Sequence, residues 1–140
     1  MMNDQPPGSM WSADCVELFI GPGNLKDGGT MIFSDRQILL GAGQQPKVFI
    51  GGHPEESAQC KLLTIKNVAG DGYVLEAVIP WSVLKIKPEA DKEMLFDVAI
   101  DNSDDGKIRK QQLMWNGKAN NGGDRLAWGK ATIVENYHDH

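Results

Sequence analysis

Cysteine is scarce in this chain: there are two among 140 residues, Cys15 and Cys60. Two widely spaced cysteines make neither a disulfide framework nor a zinc motif. They leave two readings, a pair of free, partly buried thiols or a single disulfide. Long apolar runs are missing as well. No stretch approaches the ~18 consecutive apolar residues that a membrane-spanning helix needs. Positive charge is in deficit, with 14 Lys and Arg against 19 Asp and Glu and a net charge of -5. No basic run or stripe appears, so neither nucleic acid nor an anionic membrane surface is the expected partner. The first ten residues lack the basic start and apolar core of a secretory signal, and the sequence assigns no location.

Histidine is almost absent, and two of the three lie within the last three positions. The remaining one, His53, sits in a Gly/Pro/Glu loop without a nucleophile motif. The sequence therefore offers no Ser-His-Asp or Cys-His assembly. Sustained helical periodicity is also missing, since no segment keeps it over about 11 residues.

What is present is a single domain's worth of strands. Hydrophobic residues make up 41% of the chain, enough for a real core in a domain of this length. Short β-branched and aromatic runs alternate with Gly, Pro and Asp turns. The predicted strands cover residues 14–20, 30–34, 37–40, 47–50, 61–66, 73–79, 94–100, 107–115 and 131–134. Pro80 ends its strand because it has no N–H to donate, and it pre-sets one helical turn at Trp81–Leu84. Many short strands with turns between them predict an all-β fold, an antiparallel β-sandwich with few or no helices. Residues 1–10 read as a flexible leader, 11–135 as the sandwich and 136–140 as a C-terminal tail.

Four motifs occur in one order. Trp11-Ser-Ala-Asp14-Cys-Val16-Glu17-Leu18-Phe19-Ile20 comes first, then Gly72-Tyr73-Val-Leu-Glu76-Ala77-Val-Ile79-Pro80-Trp81. The third is Phe96-Asp97-Val98-Ala99-Ile100-Asp101, leading through Asp104-Asp105-Gly106. The last is Arg109-Lys-Gln-Gln112-Leu113-Met-Trp115, with Trp128-Gly129 behind it. The series, over residues 11–134, resembles the family 9 carbohydrate-binding modules. That resemblance implies a jelly-roll-like sandwich, a sugar or oligosaccharide ligand, no catalysis and a mostly secreted setting. It implies that structural calcium is a candidate cofactor and that none is required. In the resembled modules the sugar lies between two aromatic rings. Trp11 matches one of them. The second usually stands in the loop that here reads Asn120-Asn121-Gly122-Gly123-Asp124, where no aromatic occurs. The resembled modules also carry several strands ahead of the tryptophan block. A shortened sandwich exposes a strand edge, so a homodimer is expected.

Sugars are recognised by stacking on an aromatic ring and by hydrogen bonds from planar polar side chains. Trp11, which precedes a strand, reads either as a platform or as a core anchor. On residues 14–20, Cys15, Glu17 and Phe19 share one face while Val16, Leu18 and Ile20 occupy the other and look like core. Glu17 on so apolar a strand is either a ligand contact or the partner of Arg36. Gln112 faces the surface opposite Leu113 and Trp115, which are read as the core side. The candidate sugar site is thus Trp11, Glu17, Arg36, Gln112, Asn120 and Asn121. Trp81 and Trp128 read as structural. The spacing Asp101-x-Ser103-x-Asp105-Gly106 is similar to the start of a calcium loop, and Asp101 and Asp105 are the candidate ligands. Position twelve, however, is Gln112 rather than a bidentate Glu, and a metal-free hairpin turn is the competing reading. Glu17 and Glu76 are the only pair worth considering as glycosidase carboxylates, and Glu76 lies in a block that reads as structural. Met10, Met31 and His53 form no clear haem ligand pair. The competing function is a sugar-free interaction or assembly domain of the same fold, which the missing second aromatic favours.

Overall fold

The computed structural model describes residues 3–23, 29–43, 45–66 and 72–135. Two antiparallel sheets form the fold. The main sheet runs in the order β3 (Lys47–Ile50), β2 (Arg36–Gly41), β1 (Cys15–Pro22), β6 (Glu93–Asn102), β7 (Gln111–Met114), and β8 (Gly129–Thr132) pairs with the far end of β6. A two-stranded ribbon, β4 (Lys61–Lys66) with β5 (Tyr73–Val78), lies against one face. Neither sheet closes. A single α-helical turn, α1 (Trp81–Leu84), follows Pro80 and ends where Lys85 takes the left-handed conformation at φ 55°.

The central position of β1 follows from its sequence. A strand flanked on both sides that packs against a core on each face needs apolar residues on both. Val16, Leu18 and Ile20 point to the ribbon side. There they join Ile38, Leu40, Ile50, Val83, Leu84 and Ile86 in the larger core, with Leu62 and Leu75 packed from the ribbon. Phe19 points the other way, to a smaller core with Leu95, Ala99 and Trp128. Cys15 joins a third group with Met10 and Leu39. Both cysteines are free.

Three expectations change. Residues 30–34 form a turn, not a strand. The leader is folded on as far as it is described: Pro7–Ser12 makes a 3-10 helix, Met10 is buried, and the Asn3 amide donates to the carbonyls of Met10 and Asp14 at 3.0 and 2.9 Å. Finally, Leu113 and Trp115 do lie on the ribbon side of the sheet, yet they are 69% and 61% exposed. Two strands cannot cover a six-stranded sheet, and the ribbon's cover falls short of β7. The tail at 136–140 and most of the Gly-rich turn after β1 lie outside the described residues. No helix among the described residues is long and apolar enough to cross a membrane.

Candidate functional site

The face of the main sheet turned away from the ribbon carries an unusual density of polar side chains. Strand register explains which ones. Cys15, Glu17 and Phe19 of β1 stand beside Gly41, Leu39 and Gln37 of β2, and beside Asp101, Ala99 and Asp97 of β6. Beyond β6, Gln112 is opposite Asp101, and Met114 is opposite Ala99. Cross-strand partners share a face, so β1, β2, β6 and β7 together present Glu17, Gln37, Asp97, Asp101 and Gln112 on one side.

Above them lies a cleft of about 250 Å³, walled by Trp11 and Arg109 and by the loop from Ala119 to Gly123, with Phe19 and Met114 in its floor. Trp11 stands on the 3-10 helix and is 44% exposed, so its ring is available to a ligand. The Arg109 guanidinium lies 5.3 Å from the centre of that ring, within cation–π range. The same arginine donates to Asp101 Oδ1 at 3.0 Å, and its Nη1 is 3.7 Å from Glu17 Oε1. Gln112 donates to Asp101 Oδ1 at 2.8 Å and to Glu17 Oε1 at 3.4 Å, while Gln37 donates to Glu17 Oε2 at 2.9 Å. Glu17 is therefore a buried hub, held by two carboxamides and one guanidinium.

Charge balance in this network is incomplete. Asp101 is fully buried, and its Oδ2 has no hydrogen-bond partner among the described residues. Burial, then the neighbouring Glu17 carboxylate, pushes the Asp101 carboxyl up to about 8, with Arg109 opposing. Two carboxylates sharing one arginine in a desolvated site resist simultaneous ionisation. Cys15, beside them, is pushed far above the usual thiol range, chiefly by burial.

Trp11, Glu17, Gln112, Asn120 and Asn121 all line this one cleft. Arg36 does not. It pairs across the strands with Ile20, so the pleat sends its side chain to the ribbon side. There its fully buried guanidinium donates to Glu56 at 3.2 and 3.3 Å and to the carbonyls of Val83, Phe33 and Asp35. The expected Arg36–Glu17 pair does not form, because the two lie on opposite faces of the sheet. The site's arginine is Arg109, and its second carboxamide is Gln37, one residue beyond Arg36. Strict alternation along 107–115 would put Arg109 on the face opposite Gln112. But β7 begins only at Gln111, so alternation does not extend back to Arg109.

Asn121 also has a different part from the one expected. It is buried, its Oδ1 accepts the Lys118 N–H at 2.8 Å, and its Nδ2 donates to Asp97 at 2.6 Å. Its amide is spent inside the loop, whereas Asn120 beside it is exposed. Trp128, expected to be structural, is buried and donates its ring N–H to the Asn121 carbonyl at 2.9 Å.

A calcium ion does not fit Asp101 and Asp105. Asp105 Oδ1 accepts the N–H groups of Lys107 and Ile108 and the Ser103 hydroxyl, which closes a hairpin turn and holds its carboxyl below the usual range. Asp101 Oδ1 is engaged by Arg109 and Gln112. Among the described residues the one group of three or more acidic, His or Cys side chains close enough for a metal is His53, Glu55 and Glu56. Both oxygens of Glu56 there already face Arg36.

Comparison with known proteins agrees with this architecture. No match is found among curated proteins. Among solved structures, a family 9 carbohydrate binding module from Caldicellulosiruptor kristjanssonii in complex with cellotriose superposes with a TM-score of 0.73 at 17% identity, covering 97% of this chain and 65% of that one. The module from the same organism in complex with glucose gives 0.73 and 17%, covering 99% of this chain and 68% of that one. The chain thus spans about two thirds of the length of these relatives, and the likeness is one of fold. The family model described as carbohydrate family 9 binding domain-like matches residues 2–136, and on that match the chain belongs to this family.

Proposed function

We propose that the cleft binds a single sugar unit, free or at the end of an oligosaccharide, and does no chemistry on it. The observation that carries this reading is convergence: an exposed aromatic ring, a guanidinium and several carboxamides from four separate chain segments meet in one open cleft. Trp11 offers an apolar face for a pyranose ring. Arg109, Gln37, Gln112 and Asn120 supply planar donors and acceptors for hydroxyls. At about 250 Å³ the cleft suits one ring rather than a long chain segment. Each such hydrogen bond contributes only about 0.5–1.5 kcal/mol net in an open site, so the expected affinity is weak to moderate. Glucose and cellotriose, the ligands in the two similar structures, are the natural probes.

The geometry also separates the Glu17–Glu76 pair considered from the sequence. Glu17 is on the cleft face of the main sheet, whereas Glu76 stands exposed on the outer face of the ribbon, opposite Leu63. The two cannot flank one glycosidic bond. Calorimetric titration with glucose and cellotriose tests the proposal. Saturable binding that is lost in Arg109→Ala supports it. No heat and no thermal shift at millimolar sugar would leave the sugar-free interaction domain as the better reading.

A specific observation also favours self-association. Leu63, Ile65, Val74 and Val78 share the outer face of the ribbon and are 46–63% exposed, and among the described residues β4 and β5 each keep an unpaired edge. Exposed apolar faces beside free edges commonly bury against a second copy. Sedimentation at rising concentration reads this directly: a dimer is expected, and a strictly monomeric profile refutes it.

A further inference from the structure

The loop wall of the cleft has a root outside the cleft. Asp97, on the central strand β6, is fully buried and does not line the cleft. Its carboxylate accepts four hydrogen bonds. Oδ1 takes the N–H of Val98 at 3.0 Å and of Asn116 at 2.9 Å, and Oδ2 takes the Gly117 N–H at 2.7 Å and the Asn121 amide at 2.6 Å. Three of the four come from the segment that leaves β7 and builds the wall. Asn121 then passes the constraint on, accepting from the Lys118 N–H through its side chain and from the Trp128 ring through its carbonyl. Gly117 is needed for this approach, since a Cβ there would collide with both Asn121 and Asp97.

We propose that Asp97 is a positioning residue of the sugar site: it fixes the 116–123 loop to the rigid sheet, so that Ala119, Asn120, Gly122 and Gly123 hold the far wall at the distance a sugar ring requires. The proposal rests on the reading of this cleft as the sugar site. Its physical basis is acceptor geometry. The partners at all four positions are N–H groups, so only a group with acceptors on both oxygens satisfies them. Carboxylate acceptors of this kind form the stronger class of hydrogen bond. A carboxamide at this position would turn its NH2 against two N–H donors whichever way it lay, leaving them without an acceptor.

The test compares the wild-type chain, Asp97→Asn, and the double variant Asp97→Asn with Asn121→Asp. The swap reverses donor and acceptor between the two side chains, re-forming that bond and keeping an acceptor for Lys118, while the Gly117 N–H stays without its acceptor, so recovery is partial. Two quantities are read: amide hydrogen exchange over residues 116–123 against the strands β1 and β2, and affinity for glucose and cellotriose well below the melting temperature. In Asp97→Asn the loop amides are expected to exchange at least tenfold faster with the sheet amides unchanged. Affinity is expected to fall at least tenfold, and the double variant is expected to recover several-fold of both. Should Asp97→Asn fail to fold, Asn121→Ala, which removes only the side-chain arm, takes its place in both readouts. Unchanged loop exchange overturns the clamp. Faster loop exchange with undiminished affinity overturns its role in the site. If the wild-type chain binds neither sugar, the sugar reading itself fails, and the exchange data alone then decide whether Asp97 orders the loop.

Discussion

Trp11→Ala separates the two parts this tryptophan could play. The ring belongs to none of the three buried clusters and is 44% exposed. Its named partner is Arg109, with the guanidinium 5.3 Å from the ring centre. A cation–π contact at such an exposed site contributes about 0.5–1 kcal/mol. Loss of that contact should lower the melting temperature by only about 2–6 °C for a domain of this size. Binding should suffer more. A sugar face laid on the indole removes roughly 60–80 Å² of apolar surface from water, worth ~1.5–2 kcal/mol at ~25 cal/mol per Å². Since each 1.4 kcal/mol is about tenfold, the dissociation constant should rise ~10–30-fold. Arg109 keeps its bond to Asp101 in the variant, so the polar half of the site survives. Titration calorimetry with glucose, together with a thermal melt, reads both quantities. A melt lowered by more than ~10 °C would mean that Trp11 anchors the fold. An unchanged affinity would mean that the sugar does not stack there.

Further outcomes follow from other parts of the site. Gly123 lines the cleft, and a Cβ built there meets nothing within 4 Å; Gly123→Trp should supply a second ring and tighten glucose binding by roughly 2–10-fold, the range expected of an added aromatic contact, and weaker binding would refute the placement of the loop. The Asp101 carboxyl is raised from 3.8 to about 8, chiefly by burial, so the folded state holds a proton that the unfolded chain releases. Its contribution to stability is complete below about pH 4 and is lost as pH rises towards about 8. Melting temperature measured across that window should therefore vary less in Asp101→Asn than in the wild type, and an equal slope would count against the assignment. Arg36→Met leaves the Glu56 carboxylate without its main partner and should cost about 3–5 kcal/mol in urea unfolding, whereas glucose affinity of the folded fraction should hold, because Arg36 is on the other face. Excess EDTA should leave the melting temperature unchanged; a drop would show that a metal is bound where Asp101 and Asp105 were found not to share one.

The sequence by itself determined the strand content, the antiparallel sandwich class and the two-faced character of β1. It also put Gln112 on the face of its strand opposite Leu113 and Trp115. These are local properties. Alternation repeats every two residues, and Gly, Pro and Asp mark its ends, so a window of about ten residues is enough to read them. Of the six residues expected at a sugar site, five line one cleft, although the Asn121 amide is spent inside the loop. What only the tertiary structure decided is how strands far apart in the chain come into register. Gln37 reaches Glu17 across 20 positions and Gln112 reaches it across 95. Neither contact leaves a mark in any short window. A shift of one residue in the β1–β2 register would exchange Gln37 for Arg36 on the cleft face. The start of β7 at Gln111 freed Arg109 to cross over Trp11, and the buried Asp97 drew the Asn121 side chain inward. The exposure of Leu113 and Trp115 has the same kind of cause. Their apolar character is written in the strand, but how far the ribbon extends over them depends on packing between sheets, which no single strand encodes.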